Sequence, residues 1–226
     1  MKKEFLKKPL KAVLFDMDGV LFDSMPYHAD AWHEVMKMHG MNLEKEEAYM
    51  HEGRTGRETI NLISKRQKGR AATDAEMNAI YESKCKLFNA NPPAPEMPGA
   101  MNLLSALKQS GIKIVLVTGS GQHSLFDRLE IHYPGIFSKD KMVTAYDVKN
   151  GKPNPEPYLK GLEKAGVLAD EAIVVENAPL GVESAHAASI FTVAVNTGPL
   201  NPQVLVDSGA NLVFPSLNKL VEVWTK

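Results

Sequence analysis

Ala12-Val13-Leu14-Phe15-Asp16-Met17-Asp18-Gly19-Val20 is the stretch on which the fold turns. Four consecutive apolar residues without polar alternation are the pattern of a strand buried on both faces of a parallel sheet. Two carboxylates one residue apart follow at its carboxyl end, the edge at which open α/β sheets bind ligands. Asp16 and Asp18 repel each other there unless a cation or a shared proton compensates them. Gly19 permits a tight turn beside a bound group. Asp and Gly are also ordinary turn residues, so this stretch alone fits a strand-ending turn nearly as well as a catalytic site.

Beyond it, residues from about Pro26 to Pro95 hold no clear strand but several amphipathic helical stretches. Ala29, Trp32, Val35, Met36 and Met38 recur near helical spacing before Gly40, and Met36, Met38 and Met41 read as helix packing. Thr73-Asp74-Ala75-Glu76 has the form of a capping box opening a helix through Ile80 to Phe88. Asn91-Pro92-Pro93-Ala94-Pro95 reads as a stiff linker. Then βα alternation returns: a helix from Pro98 to Gly111, a strand over Ile112 to Val117, a short strand over Met142 to Thr144, and a helix from Pro155 to Ala165 capped by Asn154. Ala172 to Val175, Phe191 to Val195 and Leu212 to Phe214 read as strands, with helices over Gly181 to Ala188 and from Leu217. The order predicts an α/β fold: a doubly wound, Rossmann-like parallel sheet core over 1–25 and 94–226, with a small α-helical cap domain, 26–93, inserted after the first strand.

Composition narrows the function. Over 226 residues, 44% hydrophobic and 23% charged content with a formal net charge of -1 describe an ordinary globular protein, without the basic field of a nucleic-acid binder. The single Cys85 excludes an intrachain disulfide framework and fits a reducing compartment; it lies in the polar stretch Glu82-Ser83-Lys84-Cys85-Lys86 with no evident base to activate it. The basic start, Met1 to Lys8, is followed by too short an apolar segment for a signal peptide or membrane span. A cytoplasmic monomer is the expectation.

Three later segments place polar groups at strand ends. Thr118-Gly119-Ser120-Gly121 offers a hydroxyl and backbone N–H groups able to surround an anion, or else an ordinary strand-to-helix turn capped by Ser120. In Gly151-Lys152-Pro153-Asn154-Pro155, the prolines hold Lys152 on a rigid turn, as suits a cation that meets a fixed anion; a solvated loop lysine is the commoner case. Val175-Glu176-Asn177-Ala178-Pro179 sets an acid and an amide after an apolar run, costly unless they are paired or bound to a metal. Hard oxygen donors point to Mg²⁺ rather than zinc. His33, His39, His51, His123, His132 and His186 show no zinc-ligand spacing.

With Asp16/Asp18, Thr118, Lys152 and Glu176/Asn177 in this order, the chain resembles the haloacid dehalogenase superfamily, from Lys11 to about Pro199. Tyr27-His28-Ala29-Asp30-Ala31-Trp32 resembles its β-phosphoglucomutase-like branch. Met50-His51-Glu52-Gly53-Arg54-Thr55-Gly56, with Val175 to Gly181, is most similar to the Bacteroides inorganic pyrophosphatases of that branch. The resemblance implies that Asp16 attacks phosphorus to form an aspartyl-phosphate, while Asp18 acts as acid and then base. It implies Mg²⁺ held by Asp16, the Asp18 carbonyl and Asn177 with Glu176 behind. Thr118, Gly119 and Ser120 would bind phosphoryl oxygens, and Lys152 would balance the nucleophile's charge.

Two departures from the mutase pattern matter. Mutases of the branch carry aspartate at the position of Asn177 and tend to carry lysine at that of Glu52. Glu52 is therefore expected either to close onto the metal, replacing the lost charge, or to be a solvated loop acid. Closure would leave little room for a leaving group, favouring pyrophosphate or a small phosphate ester over a hexose bisphosphate. His28 reads as a hydroxyl-delivering residue or as one packed near Trp32. Arg54, Arg57 and Lys84 are candidates for a second phosphate, each with a solvated-surface alternative. The reading is a Mg²⁺-dependent phosphohydrolase, with a β-phosphoglucomutase as alternative and a non-catalytic phosphate-binding protein as a further one.

Overall fold

The computed structural model describes residues 9–121 and 125–224, so the basic segment Met1 to Lys8 and His123 lie outside the described residues. Six strands form one parallel sheet: β1 (Ala12–Phe15), β2 (Lys113–Val117), β3 (Met142–Val143), β4 (Ala172–Glu176), β5 (Phe191–Val195) and β6 (Leu212–Phe214), in the order β3-β2-β1-β4-β5-β6. β1 is central, with Phe15 opposite Leu116 on one side and Val175 on the other. The order reverses between β1 and β4, the switch point where such sheets open a crevice at their carboxyl ends.

Both faces of β1 are covered, which explains its unbroken apolar run. Val13 and Phe15 pack into one layer with Leu103, Leu104 and Leu107 of α5 (Ala100–Gln109) and Leu220 of α10 (Leu217–Trp224). Ala12 and Leu14 pack into the other with Tyr158 and Leu162 of α7 (Glu156–Ala165) and Ala185 of α8 (Pro179–Ala187). Each such buried side chain is worth roughly 1.5–3 kcal/mol. The sheet is doubly wound, as its sequence implies.

Four helices stand between β1 and α5: α1 (Met25–Met38), α2 (Lys45–Met50), α3 (Gly56–Lys68) and α4 (Asp74–Asn89). Val35, Met36, Met41, Ile60, Ile63 and Ile80 form their own apolar cluster. Capping boxes Thr55/Glu58 and Thr73/Glu76 start α3 and α4, satisfying N–H groups the helices leave unpaired.

The structure adjusts several boundaries. α5 begins at Ala100 rather than Pro98, because Gly99, at φ +96°, turns the chain into it. α7 begins at Glu156, although Asn154 Oδ1 still accepts the Glu156 N–H at 2.9 Å. α8 begins at Pro179 rather than Gly181. Met36 and Met41 pack as expected, but Met38 is exposed on α1. Two short helices have no counterpart in the sequence reading: α6 (Leu125–His132) and α9 (Pro202–Asp207). Among the described residues no helix is long and apolar enough to cross a membrane.

Candidate active site

Main-chain pairing carries three strand ends to one edge. Asp16 N–H donates to the Val175 carbonyl at 3.1 Å, one residue beyond β1, and Thr118 N–H donates to the Val143 carbonyl at 2.9 Å, one beyond β2. Glu176 closes β4 and Asn177 follows it. Asp16, Thr118 and Asn177 thus share the rim above β1, β2 and β4.

Lys152 reaches this rim from the loop before α7, fully buried. Its Nζ donates to Asp16 Oδ1 at 2.5 Å, Glu176 Oε1 at 2.7 Å and the Val117 carbonyl at 3.0 Å. The peptide before Pro153 is cis. Glu176 spends its whole carboxylate inside the protein: Oε1 also accepts from Tyr158 Oη at 2.9 Å, and Oε2 accepts the Asn177 and Ala178 N–H groups at 2.9 and 3.0 Å. Glu176 therefore orients Lys152 and the Asn177 turn, standing behind the site.

One ammonium shared by two carboxylates leaves Asp16 undercompensated. Burial raises the Asp16 pKa to about 7, with Glu176 and Asp18 adding and Lys152 opposing. Burial works against the Lys152 charge, yet Asp16 and Glu176 together hold its pKa above the ordinary lysine value.

Asp18 has a separate environment. Its Oδ1 accepts from Ser24 Oγ at 2.5 Å and lies 3.2 Å from His28 Nε2. Burial disfavours its charge, but His28, Arg128 and Ser24 hold the carboxyl well below the usual range. His28 stacks on Phe88 with centroids 4.2 Å apart, and its Nδ1 meets Lys84 Nζ at 2.6 Å. Lys84 is buried, over the rings of Trp32 and Phe88, rather than solvated, and burial lowers its pKa to about 8. The packing of His28 is thus against Phe88, with both ring nitrogens engaged.

Glu52, in the loop after α2, is buried, and its Oε1 accepts from Asn177 Nδ2 at 2.8 Å. Burial, then Asp16, pushes its pKa well above the ordinary value, despite the Asn177 hydrogen bond. The same loop presses on the Thr118 turn: a Cβ at Gly119 would stand 2.6 Å from the Gly53 carbonyl oxygen. Only glycine fits there, so Gly119 presents bare backbone, while Ser120 N–H donates to Thr118 Oγ1 at 3.0 Å.

Asp16, Asp18, His28, Glu52, Lys84 and Thr118 line a partly open cavity of about 70 Å³, together with Arg54, Tyr81 and Ser120. Tyr81 lies against Gly56, and both residues also line a second cavity of about 580 Å³. Arg57 is not brought to the site: it pairs with Asp74 and Asn78 on the exposed side of α3, beside that second cavity. Arg54 lines the active cavity, with its Nε buried and unpartnered.

The residues fit a hard divalent cation. Asn177 Oδ1 is buried with no hydrogen-bond partner, an orphan acceptor at the carboxylate rim. Asp16, Glu52 and Asn177 supply oxygen donors in an environment where burial, with neighbouring carboxylates, raises the Asp16 and Glu52 pKa values. Among the described residues no three His, Cys, Asp or Glu side chains are gathered as a metal cluster. An amide oxygen, a backbone carbonyl and retained waters suit Mg²⁺ better than such a cluster would. When bound, Mg²⁺ would neutralise phosphoryl oxygens and lower the repulsion between Asp16 and an anionic substrate.

Ser24, Tyr81, Arg128 and Tyr158 have no place in the sequence reading. Tyr158 is foreshadowed by its inward position on an amphipathic helix; the other three lie off the strand ends, and nothing local marks them.

A doubly wound sheet whose central strand delivers one buried aspartate to a lysine, and a second to a hydroxyl and an imidazole, defines an α/β enzyme with two differently tuned carboxylates. The chain belongs to the haloacid dehalogenase-like hydrolases, whose family model matches residues 10–189, and to their β-phosphoglucomutase-like branch. It is similar to Hexitol phosphatase A of Escherichia coli, 32% identical over 93% of each chain. It is likewise similar to the phosphorylated carbohydrates phosphatase of Thermotoga maritima, 32% identical over 95% of this chain and all of that one. A solved structure of a β-phosphoglucomutase-like protein from Bacteroides vulgatus superimposes with a TM-score of 0.93 at 56% identity, covering 96% of this chain and 88% of that one.

Proposed function

We propose that the protein is a cytoplasmic, Mg²⁺-dependent phosphohydrolase that works through an aspartyl-phosphate on inorganic pyrophosphate or a small phosphate ester. The observation that carries the preference for a small leaving group is Glu52, buried beside Asp16 and held by the Asn177 amide at 2.8 Å. Glu52 and Tyr81 both line the cavity at Asp16, so a bulky leaving group has to displace one of them.

In this reading an Asp16 carboxylate oxygen attacks phosphorus. Asp18, which takes up a proton from solvent on leaving the His28 and Ser24 contacts that keep it ionised, gives that proton to the leaving oxygen as its bond to phosphorus breaks. Asp18 then takes a proton from the water that attacks the aspartyl-phosphate, releasing phosphate and restoring Asp16. Lys152 opposes the protonation that burial favours at Asp16 and aims its carboxylate. Thr118 and the Gly119–Ser120 backbone receive the equatorial oxygens, and Arg54 and Lys84 grip the distal phosphate. The buried loop around Glu52 excludes bulk water. The four helices between β1 and α5 act as the cap, over 26–93, on a core of 1–25 and 94–226.

The sugar-phosphate reading draws on the relatives named for phosphorylated hexitols and carbohydrates. It requires the Glu52 loop or Tyr81 to give way, since both line the cavity at Asp16 and Tyr81 also lines the larger cavity beside it. Phosphate release with Mg²⁺ from pyrophosphate, hexitol phosphates and hexose phosphates separates the two. Pyrophosphate as the best substrate supports the first reading, and hexitol phosphate as the best supports the second.

A further inference from the structure

Arg128 reaches Asp18 from the core, whereas His28 and Lys84 belong to helices inserted after β1. It sits on α6, whose place is fixed from below. Four residues on, the His132 ring meets Phe22 edge to face at 5.2 Å; next to it, Tyr133 packs on Phe22 and donates to the Leu21 carbonyl. One helical face thus grips the segment that carries Asp18.

The guanidinium so placed is poorly provided for. Its Cζ lies 4.3 Å from the Phe22 ring centroid, and Nη2 lies 3.6 Å from Met17 Sδ and 3.9 Å from Asp18 Oδ1. Nε is buried without a partner, and the side chain is 18% exposed. At 3.9 Å there is attraction but no hydrogen bond. A largely buried cation with an orphan N–H and no close carboxylate is a poor stabilising device, for which an apolar side chain of similar volume would serve as well or better. What the arrangement does supply is a cation that draws on Asp18 without locking it, while Ser24 and His28 make the short contacts.

We propose that Arg128 is a positioning residue for Asp18, holding the carboxyl where it meets the leaving oxygen. The inference rests on the reading of Asp18 as general acid given above. As Ser24 and His28 release Asp18 toward substrate, Arg128 follows it by rotating over the Phe22 face, which a cation–π contact permits at little cost.

The test compares single-turnover phenol release from p-nitrophenyl phosphate, whose leaving group needs little protonation, with that from phenyl phosphate, whose leaving group needs more. In Arg128→Met the lost positioning is expected to outweigh the easier protonation of Asp18, so that the ratio of the two rates rises about tenfold with KM nearly unchanged. Arg128→Lys should restore most of the loss, and Arg128→Met should unfold no earlier than the unsubstituted protein. Equal losses on both substrates, a fall in the ratio, or a change confined to KM would overturn the proposal. Asp18→Asn serves as the reference. If it leaves the ratio unchanged, the general-acid reading itself fails; if it raises the ratio and Arg128→Met does not, only the role of Arg128 fails.

Discussion

Glu52 and Asn177, 125 residues apart in the chain, are joined by a hydrogen bond of 2.8 Å from the Asn177 amide to the Glu52 carboxylate. The bond uses the nitrogen of Asn177 and leaves its oxygen buried and unpaired. The contact joins the loop after α2 to the turn after β4 and leaves a spare acceptor facing no protein donor. In Glu52→Gln, Mg²⁺ affinity measured by calorimetry should fall about 10- to 100-fold, as expected when a charged group at a metal site is neutralised. Unchanged Mg²⁺ affinity would mean that Glu52 only closes the loop.

Lys152 bridges Asp16 and Glu176 in the interior, so its removal leaves two buried carboxylates unpaired. Lys152→Met should lose nearly all turnover and about 3–5 kcal/mol of stability in urea unfolding. Adding Glu176→Gln should recover part of that stability but not the activity, since Asp16 would still lack its cation. A double variant no more stable than the single one would show that Glu176 does not depend on Lys152.

Lys84 carries a pH signature with a definite sign. Its pKa is lowered to about 8 when folded and lies near 10.5 when unfolded, so between these values the unfolded chain holds more protons. Stability contributed through this group therefore rises with pH from about 8 to 10.5 and is lowest below pH 8, where the buried ammonium must stay charged. Lys84→Met should be more stable than the unsubstituted protein at pH 7, by on the order of 1–3 kcal/mol, with the gap shrinking toward pH 10. Its KM for pyrophosphate should rise, and in the unsubstituted protein KM should climb as pH passes 8. A stability gap independent of pH would contradict this placement of the charge.

The strand ends are legible in the sequence because physics ties them to short, local patterns. A buried parallel strand must be apolar throughout, so the first polar residue after Phe15, Val117 and Val175 marks the sheet's rim, and register then brings those residues together. The surroundings of Lys84 are not legible. Glu82-Ser83-Lys84-Cys85-Lys86 reads as solvated, and only the packing of α4 on α1 places Lys84 between Trp32, Phe88 and His28. Arg57 errs the other way: a basic residue three positions after Arg54 looks equally suited to phosphate, but α3 turns it toward Asp74. Tyr81 and Arg128 act by shape and distance across elements far apart in the chain, and local sequence carries neither.

Tyr81 lines both the cavity at Asp16 and the larger one, so with Glu52 it is placed to limit the leaving group in the proposed reaction. Tyr81→Ala should raise kcat/KM for hexitol and hexose phosphates about tenfold relative to pyrophosphate. No change in that ratio would mean that the larger cavity is not reached from the site.

The central claim is that Asp16 takes phosphate from pyrophosphate. It is tested most directly by initial rates of Mg²⁺-dependent phosphate release from pyrophosphate, hexitol phosphate and hexose phosphates, with the unsubstituted protein and Asp16→Asn. The expected result is the highest kcat/KM on pyrophosphate and its loss in Asp16→Asn. Undiminished turnover in Asp16→Asn would contradict the claim, and so would turnover confined to β-glucose 1-phosphate with the bisphosphate, yielding glucose 6-phosphate.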